Sequence, residues 1–130
     1  MVGFPQETEV TLNDTIKAIC SIPCDTIIYS IFTPYPGTEL FNYCKEKEII
    51  NDDFDVALFN HHSPLNYFSV NIPKEVFIKI LRQLEIDIDR INAIKQIKKY
   101  FSYEGYLRFK EKGFSASMSR LKSFMRTLLN

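Results

Sequence analysis

The sequence has 130 residues, enough for one domain with its own core, and its 45% hydrophobic content with few Gly and Pro residues excludes a disordered or fibrous chain. No apolar run reaches the roughly 18 residues that span a bilayer, and no signal peptide opens the chain, so we expect a cytoplasmic protein without a membrane segment. The formal net charge is zero, but residues 95–130 hold nine Lys or Arg against two Asp or Glu, so the chain ends in a basic segment.

The first predicted elements are a strand end at Met1, a loop and a helix. Thr8 is a good N-cap, and apolar residues recur at helical spacing from Leu12 until Pro23 ends the helix. Residues 26–32 are β-branched and aromatic and are apolar on both faces. This pattern predicts a buried parallel strand.

A second turn and helix follow this strand. Residues 33–38 contain two prolines and a glycine, which cannot continue a central strand, and Thr38 can cap a helix that begins near Glu39. Strand, helix, strand, helix is the order of a parallel sheet. Residues 54–59 and 67–70 are weaker strand candidates, so the predicted sheet looks incomplete.

From Pro73 onward the pattern becomes helical. Apolar residues repeat at three and four as far as about Phe101, which predicts one long helix, or two helices with a break near residues 86–89. Two further amphipathic helices are expected over Tyr103–Lys112 and Ser115–Leu129, separated by Gly113. The predicted division is therefore a sheet-containing part, 1–72, and a helical part, 73–130.

The three cysteines do not form a metal-binding pattern. Cys20 and Cys24 have the spacing that opens an iron–sulfur motif, but the third position holds Ile27 inside the predicted strand. Cys44 lies on another helix, and an odd count of 3 argues against a disulfide framework. We therefore favour core packing for the cysteines and predict no metal ligand in this chain.

The adjacent histidines, His61 and His62, lie in a polar loop. A metal site would need further ligands that the sequence does not name, so a loop role without metal is favoured. Contact with a substrate and proton transfer remain open for this pair. No phosphate loop, Gly-x-Gly-x-x-Gly or Gly-x-Ser-x-Gly motif is present, which gives no support to those enzyme classes.

Two segments carry a family resemblance: residues 1–8, MVGFPQET, and residues 30–41, SIFTPYPGTELF. They are similar to the radical S-adenosylmethionine superfamily, especially the branch whose members often carry an N-terminal cobalamin-binding domain. In that branch one strand ends in Gly-Phe-Pro-Gly-Glu-Thr and the next ends in Thr-Pro-Tyr-Pro-Gly-Thr. The second match is complete, whereas the first departs at Gln6, where the family usually has Gly.

The resemblance implies an α/β fold, namely the C-terminal fragment of a partial (β/α)6 barrel with about two parallel strands, followed by a helical C-terminal extension. It covers residues 1 to about 50 well, and residues 51–100 only as a loop followed by a helix. The Cys-x-x-x-Cys-x-x-Cys motif of the family is missing. We therefore expect a fragment of a longer parent chain, inactive alone.

The resemblance also implies a site at the ends of the strands, where barrels bind ligands. Gly3 would let the backbone approach S-adenosylmethionine, Glu7 would hold the loop or the polar edge of the ligand, and Phe32–Pro34 would flank the adenine. The implied cofactor-binding residues are Gly3, Glu7, Phe32, Thr33, Pro34, Pro36, Gly37 and Thr38, and no catalytic residue is expected. Ordinary turn chemistry also explains Pro36 and Gly37.

The implied cofactors are S-adenosylmethionine and a four-iron four-sulfur cluster, whose ligands would belong to the missing N-terminal part of the parent chain. The presence of cobalamin and the substrate stay open. Without its covering strands, the chain should expose apolar surface around residues 27–32 and self-associate.

Two other hypotheses remain. The first is a non-catalytic interaction domain whose basic helices, from Lys95 onward, bind nucleic acid or another protein. The second is a complete small α/β domain that shares only turn sequences with the family. A steep fall of binding with salt would support the first hypothesis, and affinity of the full-length chain for S-adenosylmethionine would not. A Cys-x-x-x-Cys-x-x-Cys coding run upstream of Met1 would support the fragment over the second.

Overall fold

The structure, a computed structural model, describes residues 1–59, 63, 66–102, 106–107, 110 and 114–129. Its regular elements are α1 (Glu9–Ser21), α2 (Glu39–Glu46), a short 3-10 helix (Val56–Leu58), α3 (Lys74–Tyr100) and α4 (Phe114–Leu129). Within these ranges, no helix is both long enough and apolar enough to cross a membrane.

The fold class differs from the α/β expectation. Helices hold 58% of the described residues, and those residues contain no strand or sheet, so an α/β partial barrel and a complete small α/β domain are both wrong. Residues 26–32 form only one isolated parallel bridge, between Ile31 and Val2. Four residues before Ile31, the backbone N–H and carbonyl of Ile27 form hydrogen bonds with the side chain of Asn92 and not with another strand. An extended segment without strand neighbours does not make a ladder.

The two weaker strand candidates are also wrong. Residues 54–59 contain the 3-10 helix, because the side chain of Asp55 accepts the Ala57 N–H over 2.9 Å and caps a turn. Residues 67–70 form no strand in the described structure. The Val70 N–H donates instead to the Pro5 carbonyl over 3.0 Å.

The first two predicted helices are confirmed together with their caps. At α1, the Thr11 N–H donates to Thr8 Oγ1 over 3.3 Å and the Thr8 N–H donates to Thr11 Oγ1 over 2.9 Å. At α2, Thr38 Oγ1 accepts the Phe41 N–H over 3.2 Å. Each cap satisfies a backbone donor that has no partner inside its helix.

The long helix α3 is continuous, so the single-helix alternative is correct and no break occurs at residues 86–89. It starts directly after Pro73, whose carbonyl accepts the Phe77 N–H over 2.9 Å. α4 matches the helix predicted over Ser115–Leu129 to within one residue. The helix predicted over Tyr103–Lys112 falls largely outside the described residues.

Two compact units divide the chain: unit 1 is Met1–Ile19 with Tyr29–Arg82, and unit 2 is Cys20–Ile28 with Gln83–Asn130. The core of unit 1 contains Phe32, Cys44, Ile50 and Phe68, surrounded by partly buried hydrophobic residues, mostly phenylalanines. In unit 2, Ile88 and Ala93 of α3 are buried. The division at residue 72 stays a prediction.

Candidate functional site

The two motif turns start side by side in unit 1. The Val2 N–H donates to the Ser30 carbonyl over 3.0 Å, and the Phe32 N–H donates to the Val2 carbonyl over 2.8 Å. This is the hydrogen-bond pattern of a parallel bridge, in which both segments run in the same direction. Residues 3–8 and residues 33–38 therefore leave the bridge from the same end.

The carboxylate of Glu7 closes the first turn. Its Oε2 atom accepts the Gly3 N–H over 2.7 Å and the Phe4 N–H over 3.0 Å. Hydrogen bonds from backbone N–H groups to a carboxylate are among the stronger ones in proteins. In this geometry Glu7 holds the loop, while a contact between Glu7 and a ligand stays a prediction.

Gly3 is required by packing as well as by backbone conformation. Its φ is +84°, a region that glycine adopts without steric cost. A Cβ at this position would lie 2.8 Å from Cζ of Phe77, which is fully buried on α3. The glycine is therefore explained by α3 whether or not a ligand approaches the turn.

The second turn has a different geometry. Gly37 has a φ of +87°, and the Thr38 N–H donates to the Tyr35 carbonyl over 3.2 Å, as in a type II turn with Pro36 before the glycine. Nothing lies within 4 Å of a Cβ built on Gly37. This turn is open to solvent, and local turn chemistry accounts for its residue types.

The three residues before this turn are buried. Phe32 packs its ring 5.2 Å from Phe4 and 6.1 Å from Phe68, centroid to centroid. Thr33 is 5% exposed, and Pro34 is fully buried. The exposed side chains at this rim begin with Tyr35. The side chains of Phe32–Pro34, which were predicted to flank the adenine, therefore pack inside unit 1 and hold the turn in place.

Two asparagines that the sequence reasoning missed fix these turns. Asn66 is buried and donates its Nδ2 hydrogen to Thr33 Oγ1 over 2.6 Å. Asn71 donates from Nδ2 to the Gln6 carbonyl over 3.0 Å. Each partner lies more than thirty residues away along the chain, so no local pattern could have identified either asparagine.

A cavity of about 420 Å³ lies beside the first turn, and its lining residues are Gln6, Glu39, Leu40, Asn42, Tyr43 and Glu46. Most of them belong to one face of α2. Its lining groups include two carboxylates, an amide pair and a phenol, which suit a polar or cationic ligand. Gln6, the residue that departs from the family motif, forms one wall.

The cysteines do not fit an iron–sulfur cluster. Cys44 is fully buried in the apolar core, and burial raises the pKa of its thiol. Desolvation, and then the charge of Asp87, raise the pKa of Cys20, against an opposite effect of Lys95. Cys24 is exposed. A cluster needs three or four converging thiolates, and the described residues contain no group of three His, Cys, Asp or Glu side chains placed to hold a metal. His61 and His62 lie outside the described residues.

Comparisons with known proteins reach only part of the chain. No family model matches the sequence, and no solved structure matches it. An uncharacterized methyltransferase of Pyrococcus horikoshii is 42% identical over 43 residues, which are 33% of this chain and 9% of that protein. The chain is therefore similar to a short stretch of a much longer protein that carries the name methyltransferase.

Proposed function

We propose that this chain is part of a radical S-adenosylmethionine iron–sulfur enzyme and supplies one wall of its cofactor and substrate site. The observation that carries the proposal is the bridge between Val2 and Ile31. It joins the two segments in which the family resemblance lies, and it brings both turns to one end. A nucleoside bound there would meet two turns held in fixed positions.

The turns are preorganised for such a role. Glu7 fixes the backbone of the first turn, and Asn66 fixes Thr33 in front of the second. Side chains and backbone that are already ordered lose less entropy when a ligand binds. The exposed Pro36–Gly37 turn then offers a ledge of backbone and ring atoms for a flat group.

The name of the relative from Pyrococcus horikoshii supports a reaction in which a methyl group is transferred. S-adenosylmethionine supplies methyl groups in many such reactions, so the proposed cofactor is compatible with that name. The substrate and the presence of cobalamin are not assigned. For the parent chain we propose reductive cleavage of S-adenosylmethionine, in which one electron from a reduced cluster would split it into methionine and a 5′-deoxyadenosyl radical. The ligands of that cluster would lie outside this chain.

The test uses the longer parent chain, reconstituted with iron and sulfide without oxygen and supplied with S-adenosylmethionine and a reductant. Formation of 5′-deoxyadenosine, measured by mass spectrometry, is the expected result. The 130-residue chain treated in the same way should form none. The absence of 5′-deoxyadenosine from a parent chain that holds a reconstituted cluster would contradict the proposal.

A matched pair of variants in the parent chain tests the ledge itself. Gly37→Ala changes the open turn at a positive φ, and we expect weaker binding of S-adenosylmethionine with the cluster content unchanged. Glu48→Ala is the control, because Glu48 also has a positive φ but lies just beyond the C-terminal end of α2, away from the second turn. Equal affinity in both variants would remove the second turn from the site.

A further inference from the structure

A second cavity, in unit 2, lies outside the motif turns. Its volume is about 390 Å³, and its lining residues are Cys24, Asp25, Lys95, Lys98, Lys99 and Ser102. The last four are spaced at i, i+3, i+4 and i+7 on α3 and just beyond it, so they share one helix face. Cys24 and Asp25 close the cavity from the segment of residues 20–28. We call it the lysine cleft.

Among the residues that the structure describes, three ammonium groups and one carboxylate line the lysine cleft, so these side chains carry an excess of positive charge. Asp25 Oδ2 lies 3.0 Å from Lys99 Nζ. Lys95 Nζ lies 3.5 Å from the Ile22 carbonyl oxygen and 3.6 Å from Cys24 Sγ. Neither of these partners is a carboxylate, so the charge of Lys95 is not cancelled by its own contacts.

Lys98 is the most accessible of the three cations. It is exposed, and it makes no hydrogen bond or ion pair with any residue that the structure describes. Lysines are common in the last turn of a helix because they complement the helix dipole, which explains Lys98 and Lys99 in part. The dipole does not explain a concave surface in which three lysines converge with a serine hydroxyl.

We propose that the lysine cleft binds the phosphate group of a ligand. Lys95 and Lys98 face the phosphate oxygens, and the Lys99–Asp25 pair forms one edge. Lysine ammonium groups bind phosphate as point charges, and the cleft has the size of a small-ligand site. The phosphate belongs either to a small phosphomonoester or to the backbone of an RNA strand, and both present the same anionic oxygens.

The first experiment is a titration of the 130-residue chain with inorganic phosphate at low ionic strength, followed by amide NMR shifts of residues 24–25 and 95–102. We expect Lys98→Gln to weaken binding about three-fold, as for one partly screened charge contact. Lys79→Gln is the matched control, since Lys79 is exposed on the same helix outside the cleft. Asp25→Asn should strengthen binding about three-fold, because it removes the competing carboxylate.

The second experiment repeats the titration with a short single-stranded RNA at several salt concentrations. If the phosphate source is RNA, the RNA binds more tightly than inorganic phosphate, and Lys98→Gln reduces the salt dependence by about one charge. If the source is a small phosphomonoester, RNA binds no better than inorganic phosphate. The affinities for phosphate should then still rank Asp25→Asn above Lys79→Gln and Lys79→Gln above Lys98→Gln. The proposal is overturned if neither probe shifts these amides, or if Lys79→Gln weakens binding as much as Lys98→Gln.

Discussion

Glycine at position 3 allows a positive φ and also leaves space for the ring of Phe77. The cost of a side chain there should be larger than the usual cost of replacing a turn glycine. Gly3→Ala adds about 1 kcal/mol for the backbone conformation and about 1–3 kcal/mol for overlap with Phe77. We therefore expect a loss of about 2–4 kcal/mol in the free energy of unfolding, measured in urea.

The control is Gly37→Ala, where φ is also positive but no atom lies within 4 Å of the new Cβ. It should lose only about 1 kcal/mol. In a Phe77→Leu background the added Cβ at Gly3 no longer meets the end of the ring, so the loss from Gly3→Ala should fall toward the same value. An unchanged loss in that background would show that the packing explanation is wrong.

Cys44 gives a pH dependence with a definite sign. Burial raises the pKa of its thiol, so the folded chain keeps the proton to a higher pH than the unfolded chain does. The stability contributed by the neutral thiol is fully present below about pH 8.5, the ordinary thiol pKa, and is lost as the pH rises through the folded pKa. We expect the free energy of unfolding to fall as the pH rises above the ordinary thiol pKa of about 8.5.

The comparison for this prediction is Cys44→Ala, measured in urea at the same pH values. The alanine variant loses a constant amount from the small cavity that it leaves. The difference between the native chain and the variant should stay constant below about pH 8 and shrink above it. Parallel curves up to pH 10 would mean that Cys44 does not titrate differently in the folded chain.

At the candidate site, the sequence predicted the groups that act locally. Thr38 as a cap and Pro36–Gly37 as a turn follow from rules about neighbouring residues, and both are found. Asn66 and Phe77 act through contacts with residues far away in the chain, and no spacing rule points to such partners. The predicted roles of these residues toward a ligand stay predictions.

Among the elements, the helices were predictable and the strands were not. A helix satisfies its own backbone, so caps and apolar spacing locate it, as they do for α1, α2 and α3. A strand needs a neighbouring strand for its backbone hydrogen bonds, and its own sequence does not predict that partner. Residues 26–32 have the composition of a strand, but among the described residues their backbone pairs with another extended segment only at the bridge between Ile31 and Val2. At Ile27 the partner is the side chain of Asn92.

The contact between Asn92 and Ile27 replaces a strand neighbour. The Ile27 N–H donates to Asn92 Oδ1 over 2.8 Å, and Asn92 Nδ2 donates to the Ile27 carbonyl over 2.9 Å. Asn92→Ala removes the hydrogen-bond partners of both the N–H and the carbonyl of Ile27, and we expect a loss of about 2 kcal/mol in the free energy of unfolding. Amide hydrogen exchange at Ile27 should become faster in the same variant.

Gln96 provides the control for this element, one turn further along α3. Its Nε2 atom lies 3.4 Å from Thr26 Oγ1 in an exposed, long contact. Gln96→Ala should change stability by less than about 0.5 kcal/mol and leave exchange at Ile27 unchanged. Equal effects of the two variants would mean that the paired hydrogen bonds of Asn92 contribute nothing beyond a surface contact.

At the scale of the whole molecule, less apolar surface is exposed around residues 27–32 than the sequence predicted. Ile27, Ile31 and Phe32 are buried, whereas Ile28 is 81% exposed. An isolated exposed isoleucine is common on protein surfaces, but one beside an extended segment with a single bridge favours contact with another extended chain.

We therefore expect the isolated chain to self-associate, with sedimentation coefficients that rise with protein concentration. Ile28→Lys should raise the apparent dissociation constant by about ten-fold to a hundred-fold, because about 1.5–3 kcal/mol of apolar burial is lost at the contact. Leu58→Lys is the control, since Leu58 is 68% exposed and lies on the 3-10 helix, where its own N–H donates to the Asp55 carbonyl. A chain that stays monomeric at every concentration would rule out self-association through Ile28. Equal effects of Ile28→Lys and Leu58→Lys would do the same, because a contact centred on Ile28 predicts a larger effect of Ile28→Lys.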